Sequence, residues 1–184
     1  MNVQSTPLEG CFIIEPKVFG DPRGYFFESF NQQKFAELTG HTIPFVQDNQ
    51  SYSTKGVLRG MHLQKGASAQ SKLVRVVKGE VLDVAVDMRK ASKTYKQYFS
   101  ARLSAENNLQ LFVPRGFLHG FVVLSADAIF QYKCDNYYDK SAEGGVHFAD
   151  PEIGIDWILP TDQLLVSDKD IVLPNLKDAG DLGF

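Results

Sequence analysis

Two histidines in this chain sit where an imidazole could react rather than only pack. His62 lies in Arg59-Gly60-Met61-His62-Leu63-Gln64, which places a guanidinium, an imidazole and an amide in one short stretch. His119 follows the turn Pro114-Arg115-Gly116 and enters an apolar run, Phe117-Leu118-His119-Gly120. Neutral histidine is the natural base near pH 7. Beside a ketone it can take a proton from the adjacent carbon, provided that a cation holds the enolate oxygen that results. Lys72 or Arg59 can supply that cation, and a tyrosine can return a proton from the opposite face. The remaining histidines read as structural: His41 follows a helix cap, and His147 lies in Gly144-Gly145-Val146-His147-Phe148 as ordinary strand entry.

Such groups work together only on a frame that converges them, and the frame reads as short strands. Leu82, Val84, Val86 and Met88 form one apolar face of a period-two stretch, with Asp83, Asp87 and Arg89 on the other. Lys72, Val74 and Val76 run in phase before it, joined by a turn at Lys78-Gly79-Glu80. Further strands are expected at Leu109–Val113, His119–Leu124 and Ala128–Cys134, and one helix over Asn31–Thr39 capped by Gly40. Many short strands punctuated by turn residues imply an all-β barrel or sandwich. Past Leu159, turn-forming residues increase, as in a tail packed over the barrel.

The totals narrow the partners. With 184 residues the chain suits a single domain, 1–184. A net charge of −3 argues against nucleic acid, whose binders carry a basic stripe. No apolar run approaches a membrane span, and no leader segment is visible, so cytoplasmic localisation is expected. Cys11 and Cys134 have neither metal-ligand spacing nor a context that calls for a disulfide. There is no Gly-rich phosphate loop or dinucleotide fingerprint, which fits a reaction with no cofactor.

The two histidine segments resemble the two motifs of the cupin superfamily. Where that pattern has its second histidine this chain has Gln64, and the place of its glutamate falls near Lys72. Two imidazoles, an amide and a cation make a poor divalent-metal site, so no metal is expected. A closer resemblance runs from about Ile14 to Pro174. Lys17-Val18-Phe19-Gly20-Asp21-Pro22-Arg23-Gly24, Phe45-Val46-Gln47-Asp48-Asn49, Val57-Leu58-Arg59-Gly60-Met61-His62, Gln70-Ser71-Lys72-Leu73-Val74, Pro114–Phe121, Tyr132–Tyr138 and Ser167-Asp168-Lys169-Asp170 are similar, in order, to the dTDP-4-dehydrorhamnose 3,5-epimerases.

That resemblance implies a double-stranded β-helix (cupin jelly-roll barrel) with one or a few short helices. It implies double epimerisation of a dTDP-4-keto sugar, the rivals being a single-carbon epimerase or ketoisomerase on the same fold, a metal cupin and a non-catalytic sugar-nucleotide binder. His62 would be the base, oriented by Asp170 with Asp168 as its rival; Tyr132 would be the acid, and Lys72 would hold the enolate. Arg59 and His119 would contact the diphosphate–sugar region. Arg23, Glu28, Gln47, Asp48 and Asn49 would contact the nucleotide, Phe19 and Tyr138 would stack on thymine, and Glu143 and Lys169 complete the set. Out of that context, Arg23 and Glu28 read as a surface ion pair. The family also implies a homodimer whose partner chain supplies part of each pocket. Departures are small: Gln50 stands where some relatives have His, and Met61, Leu63, Arg115 and Leu118 vary.

Overall fold

The structure, a computed structural model, describes residues 1–184. Strands β1 (Asn2–Ser5), β2 (Phe12–Glu15), β3 (Phe19–Asp21) and β4 (Gly24–Phe26) precede the helix α1 (Gln32–Thr39). The barrel strands follow: β5 (Gln47–Thr54), β6 (Val57–Gln64), β7 (Lys72–Lys78), β8 (Glu80–Asp87), β9 (Tyr98–Ser104), β10 (Gln110–Val113), β11 (Phe117–Val123) and β12 (Asp127–Cys134). Short β13 (Glu143–Gly145), β14 (Leu165–Val166) and the helix α2 (Asp168–Ile171) end the regular structure.

One sheet has the order β1-β2-β10-β7-β12-β5, and the other β13-β6-β11-β8-β9 with β14 parallel to β6. The chain crosses from sheet to sheet between β5 and β6, β6 and β7, and β7 and β8, then again between β9 and β10, β10 and β11, and β11 and β12. The result is the jelly-roll, double-stranded β-helix barrel. Between the sheets, Val74, Val76, Leu111 and Phe130 of one meet Val81, Ala85, Phe117 and Phe121 of the other. Burying such a face against a facing sheet is what makes the alternating pattern stable.

Leu82, Val84, Val86 and Met88, the clean apolar face in the sequence, do not line this interior. They lie on the back of the second sheet, under Trp157, Leu164, Leu176, Leu182 and Phe184 of the C-terminal segment. The tail past Leu159 therefore covers the barrel as expected, and β8 is buried on both faces. On the back of the other sheet, α1 drops Phe35 among Ile14, Leu73 and Phe112. Asn31 caps α1 by accepting from the Lys34 N–H, and Gly40 ends it in the left-handed conformation at φ 75°. His41 packs beside it on Phe35, Phe45 and Phe112, a structural place as expected. His147 follows β13 rather than opening a strand. Cys11 and Cys134 are buried free thiols, and no helix is long and apolar enough to cross a membrane.

Candidate active site

A cavity of about 440 Å³, within the range typical of small-ligand sites, is lined from both sheets and from α2. His62 and Arg59 come from β6, His119 from β11, Lys72 from β7, Tyr132 from β12, and Lys169 and Asp170 from α2. Residues of a regular strand three apart point to opposite faces, yet Arg59 and His62 both line the cavity while Met61, between them, packs on the back. The break is at Gly60, whose φ of 141° is open to glycine. Opposite it, the β6–β11 register shifts between His119 and Phe121, at Gly120. This bulge turns both polar side chains inward and sets His62 directly across from His119 in the ladder.

Asp170 reaches His62 because Ser167 caps α2, accepting from the Asp170 N–H at 3.2 Å. The carboxylate then stands with Oδ1 2.7 Å from His62 Nε2 and Oδ2 accepting from the Gly60 N–H at 3.3 Å. Asp168 stays exposed and takes no part. Burial raises the Asp170 pKa, but the His62 hydrogen bond and charge, the Gly60 N–H and Lys169 outweigh it and hold the carboxyl below its ordinary value. An ionised carboxylate only accepts, so Nε2 carries the ring hydrogen and the neutral imidazole keeps its lone pair on Nδ1. Nδ1 makes no hydrogen bond within the chain.

Tyr132 is half-buried, and burial and the nearby Cys134 push its phenol up against the pull of Arg59, so it holds its proton at neutral pH. Lys72 lies deep, where burial pushes its ammonium down against the attraction of Cys134, Asp83 and Glu143. Neither Lys72 nor Arg59 has a carboxylate partner. Arg59 is steadied instead by Nε donating to Ser53 Oγ at 3.1 Å. Two cations with no direct ion pair in one cavity suit an anionic ligand.

Beside the cavity, Glu143 accepts from Lys169 Nζ at 2.5 Å and from Tyr138 Oη at 3.2 Å. Gln47 accepts from the Tyr138 N–H at 3.1 Å and donates to Asn49 at 3.1 Å. Four residues are not brought in. Asp48 pairs with Lys133 on the outer side of β12. Phe19 and Arg23 sit on the β3–β4 hairpin, away from the cavity lining, and Arg23 holds Asp21 at 2.6 Å. Glu28 pairs with Lys34 at 2.8 Å, so the Arg23–Glu28 ion pair does not form.

Sequence reasoning passed over Ser53 and Asp83. Asp83, placed with the polar face of β8, is wholly buried and bonds His119 Nε2 through both oxygens, at 2.6 and 2.9 Å. The available signal was its phase: Asp83 alternates with Val81 and Ala85, so it interrupts an apolar face. Gln64, at the cupin histidine position, accepts from the Asp139 N–H at 2.8 Å. No three His, Cys, Asp or Glu side chains gather as a metal site needs.

One pocket of a jelly-roll barrel thus holds a histidine–aspartate dyad, a protonated tyrosine and two cations with no ion-pair partner, the groups that proton transfer beside a carbonyl requires. The family model described as dTDP-4-dehydrorhamnose 3,5-epimerase matches residues 5–178, and the chain belongs to that family. It is 55% identical over 171 residues to the dTDP-4-dehydrorhamnose 3,5-epimerase of Shigella flexneri, covering 93% of each chain. Its structure is similar to that of the enzyme of this name from Elizabethkingia anophelis, with TM-score 0.94, 56% identity and 97% of each chain covered. It is likewise similar to the dTDP-6-deoxy-D-glucose-3,5-epimerase of Legionella pneumophila, solved in complex with dTDP-4-keto-L-rhamnose. There the TM-score is 0.92 and the identity 49%, over 96% of this chain and 93% of that one.

Proposed function

We propose that this chain converts dTDP-4-dehydro-6-deoxy-D-glucose to dTDP-4-dehydro-L-rhamnose by epimerising carbons 3 and 5, with no cofactor and in the cytoplasm. The observation that carries the reading is the His62–Asp170 dyad, its free Nδ1 in a cavity that also holds Lys72 and Tyr132. His62 Nδ1 takes the proton from the carbon next to the ketone, and the C–H electrons move onto the carbonyl oxygen. Lys72 holds that enolate oxygen. At carbon 5 the electrons return to the carbon, and a new C–H bond forms on the opposite face with the proton of Tyr132. Solvent then restores the tyrosine proton and removes that of His62. At carbon 3 His62 again removes the proton and Lys72 again holds the enolate oxygen. The electrons return to the carbon, a new C–H bond forms on the opposite face with a proton from solvent, and solvent takes the proton from His62. Arg59 and His119 face the diphosphate–sugar region, and Tyr138, Gln47 and Asn49 the nucleotide.

Phe19, Arg23 and Glu28 complete the nucleotide site from a second copy of the chain, in a homodimer. Two features support this. The β3–β4 hairpin presents Phe19, Tyr25 and Phe26 more than half exposed, and these residues have no place in the cavity of their own chain. The test is proton NMR of the protein with dTDP-4-keto-6-deoxyglucose in deuterated water. Deuterium entering carbons 3 and 5 with inversion at both is expected. Inversion at one carbon points to a single-site epimerase, and no exchange in folded, dimeric protein refutes the reading.

A further inference from the structure

The cavity contains a second imidazole–carboxylate pair that the reaction above does not explain. His119 is 7% exposed and Asp83 not at all. Both Asp83 oxygens turn to one atom, His119 Nε2, at 2.6 and 2.9 Å, and Asp83 takes no other hydrogen bond. Asp170 differs, since it also accepts from the Gly60 N–H. A carboxylate buried with a single donor is tolerated only when its charge is balanced on the spot. A neutral ring that merely donated from Nε2 would leave the pair at −1 in the barrel interior. Burial pushes the Asp83 carboxyl up against the pull of His119 and Lys72, and a second proton on the pair, with one on the Nε2–Oδ line and the other on Nδ1, relieves that cost. Lys72 also attracts Asp83 but forms no hydrogen bond with it. The other titratable groups facing the pair are His62, Arg59 and Tyr132 across the cavity and Cys11 beneath Asp83.

We propose that Asp83 is a positioning residue that holds His119 in its protonated, donor form, giving the two histidines paired across β6 and β11 opposite roles. His62 takes the proton; His119, whose Nδ1 makes no hydrogen bond within the chain, donates one to an oxygen of the substrate. The second role rests on the epimerase reading, whereas the protonation of His119 does not.

The test is nitrogen NMR of labelled imidazoles in the whole protein, with His119 assigned by its loss in His119→Gln, from about pH 6 to about pH 9. Both His119 nitrogens should stay protonated through that range. In Asp83→Asn the ring should be neutral by about pH 7, and kcat/KM should fall about 10²–10³-fold, as on losing a preorganised donor. A side chain that served only to fill space would not move the ring's protonation. A neutral His119 in the native protein at pH 7, or an Asp83→Asn enzyme with native kcat/KM, overturns the proposal. Should Asp83→Asn not fold, the native titration decides alone. Native protein that exchanges no deuterium removes the epimerase reading, while the spectrum still decides the pairing.

Discussion

At the scale of the residue, what makes His62 a base is the group behind it. Asp170, 108 residues further along the chain, fixes one nitrogen and thereby frees the other. Asp170→Asn keeps the shape but offers an amide that can also donate, so the ring loses its enforced tautomer. Deuterium exchange should fall about 10²–10⁴-fold while dTDP binding by calorimetry is unchanged; native exchange rates would remove the dyad from the mechanism. The same substitution has a pH signature. The native Asp170 carboxyl is held low, so its stabilising effect is complete above the ordinary carboxylate range and is lost as pH falls through the lowered value. Melting temperatures should therefore drop more steeply toward acid in the native protein than in Asp170→Asn. His62 stood out in the sequence by residue type and motif, whereas Tyr132 was marked only by the family resemblance. The choice of Asp170 over Asp168 was not legible from composition or spacing, because it depends on how Ser167 turns α2.

The elements were legible wherever alternation ran unbroken. The strand expected at Ala128–Cys134 is β12, extended by one residue to Asp127, and the expected helix is α1 with its Gly40 cap, Asn31 being the N-cap rather than the first helical residue. Alternation says nothing, however, about which side faces the barrel interior, and in β8 both faces are buried. It also assigns Arg59 and His62 to opposite faces, because a bulge is a one-residue fault in an otherwise regular period. Gly60 and Gly120 permit that fault by close approach. A Cβ on Gly120 would lie 2.7 Å from Met61 Sδ and 2.8 Å from the Arg59 carbonyl oxygen, with little room to relax against backbone. Gly120→Ala is expected to cost about 1–3 kcal/mol in denaturant unfolding, as overpacking does. It should lower turnover further than stability explains, because β6 moves away from β11. A variant with native stability and turnover would show that the approach is not needed.

The whole molecule decides whether a pocket is complete. If Arg23 serves the partner's cavity, two defective chains can repair one another. Mixing His62→Ala protomers with Arg23→Ala protomers and allowing exchange should restore about a quarter of native activity, since half the dimers are then mixed and each carries one intact site. No recovery, in dimers shown to have exchanged, would place Arg23 in the pocket of its own chain. Completeness has a second side, in the order in which the parts arrive. His62, Lys72, His119 and Tyr132 are all laid down within the barrel strands, whereas Asp170 enters only afterwards, on the segment that also roofs the second sheet. Because Asp170 lies between Leu164 and Leu176 of that roof, the dyad is completed only by the same segment that covers the barrel. A chain cut short before α2 could enclose a cavity yet leave its histidine without a fixed tautomer.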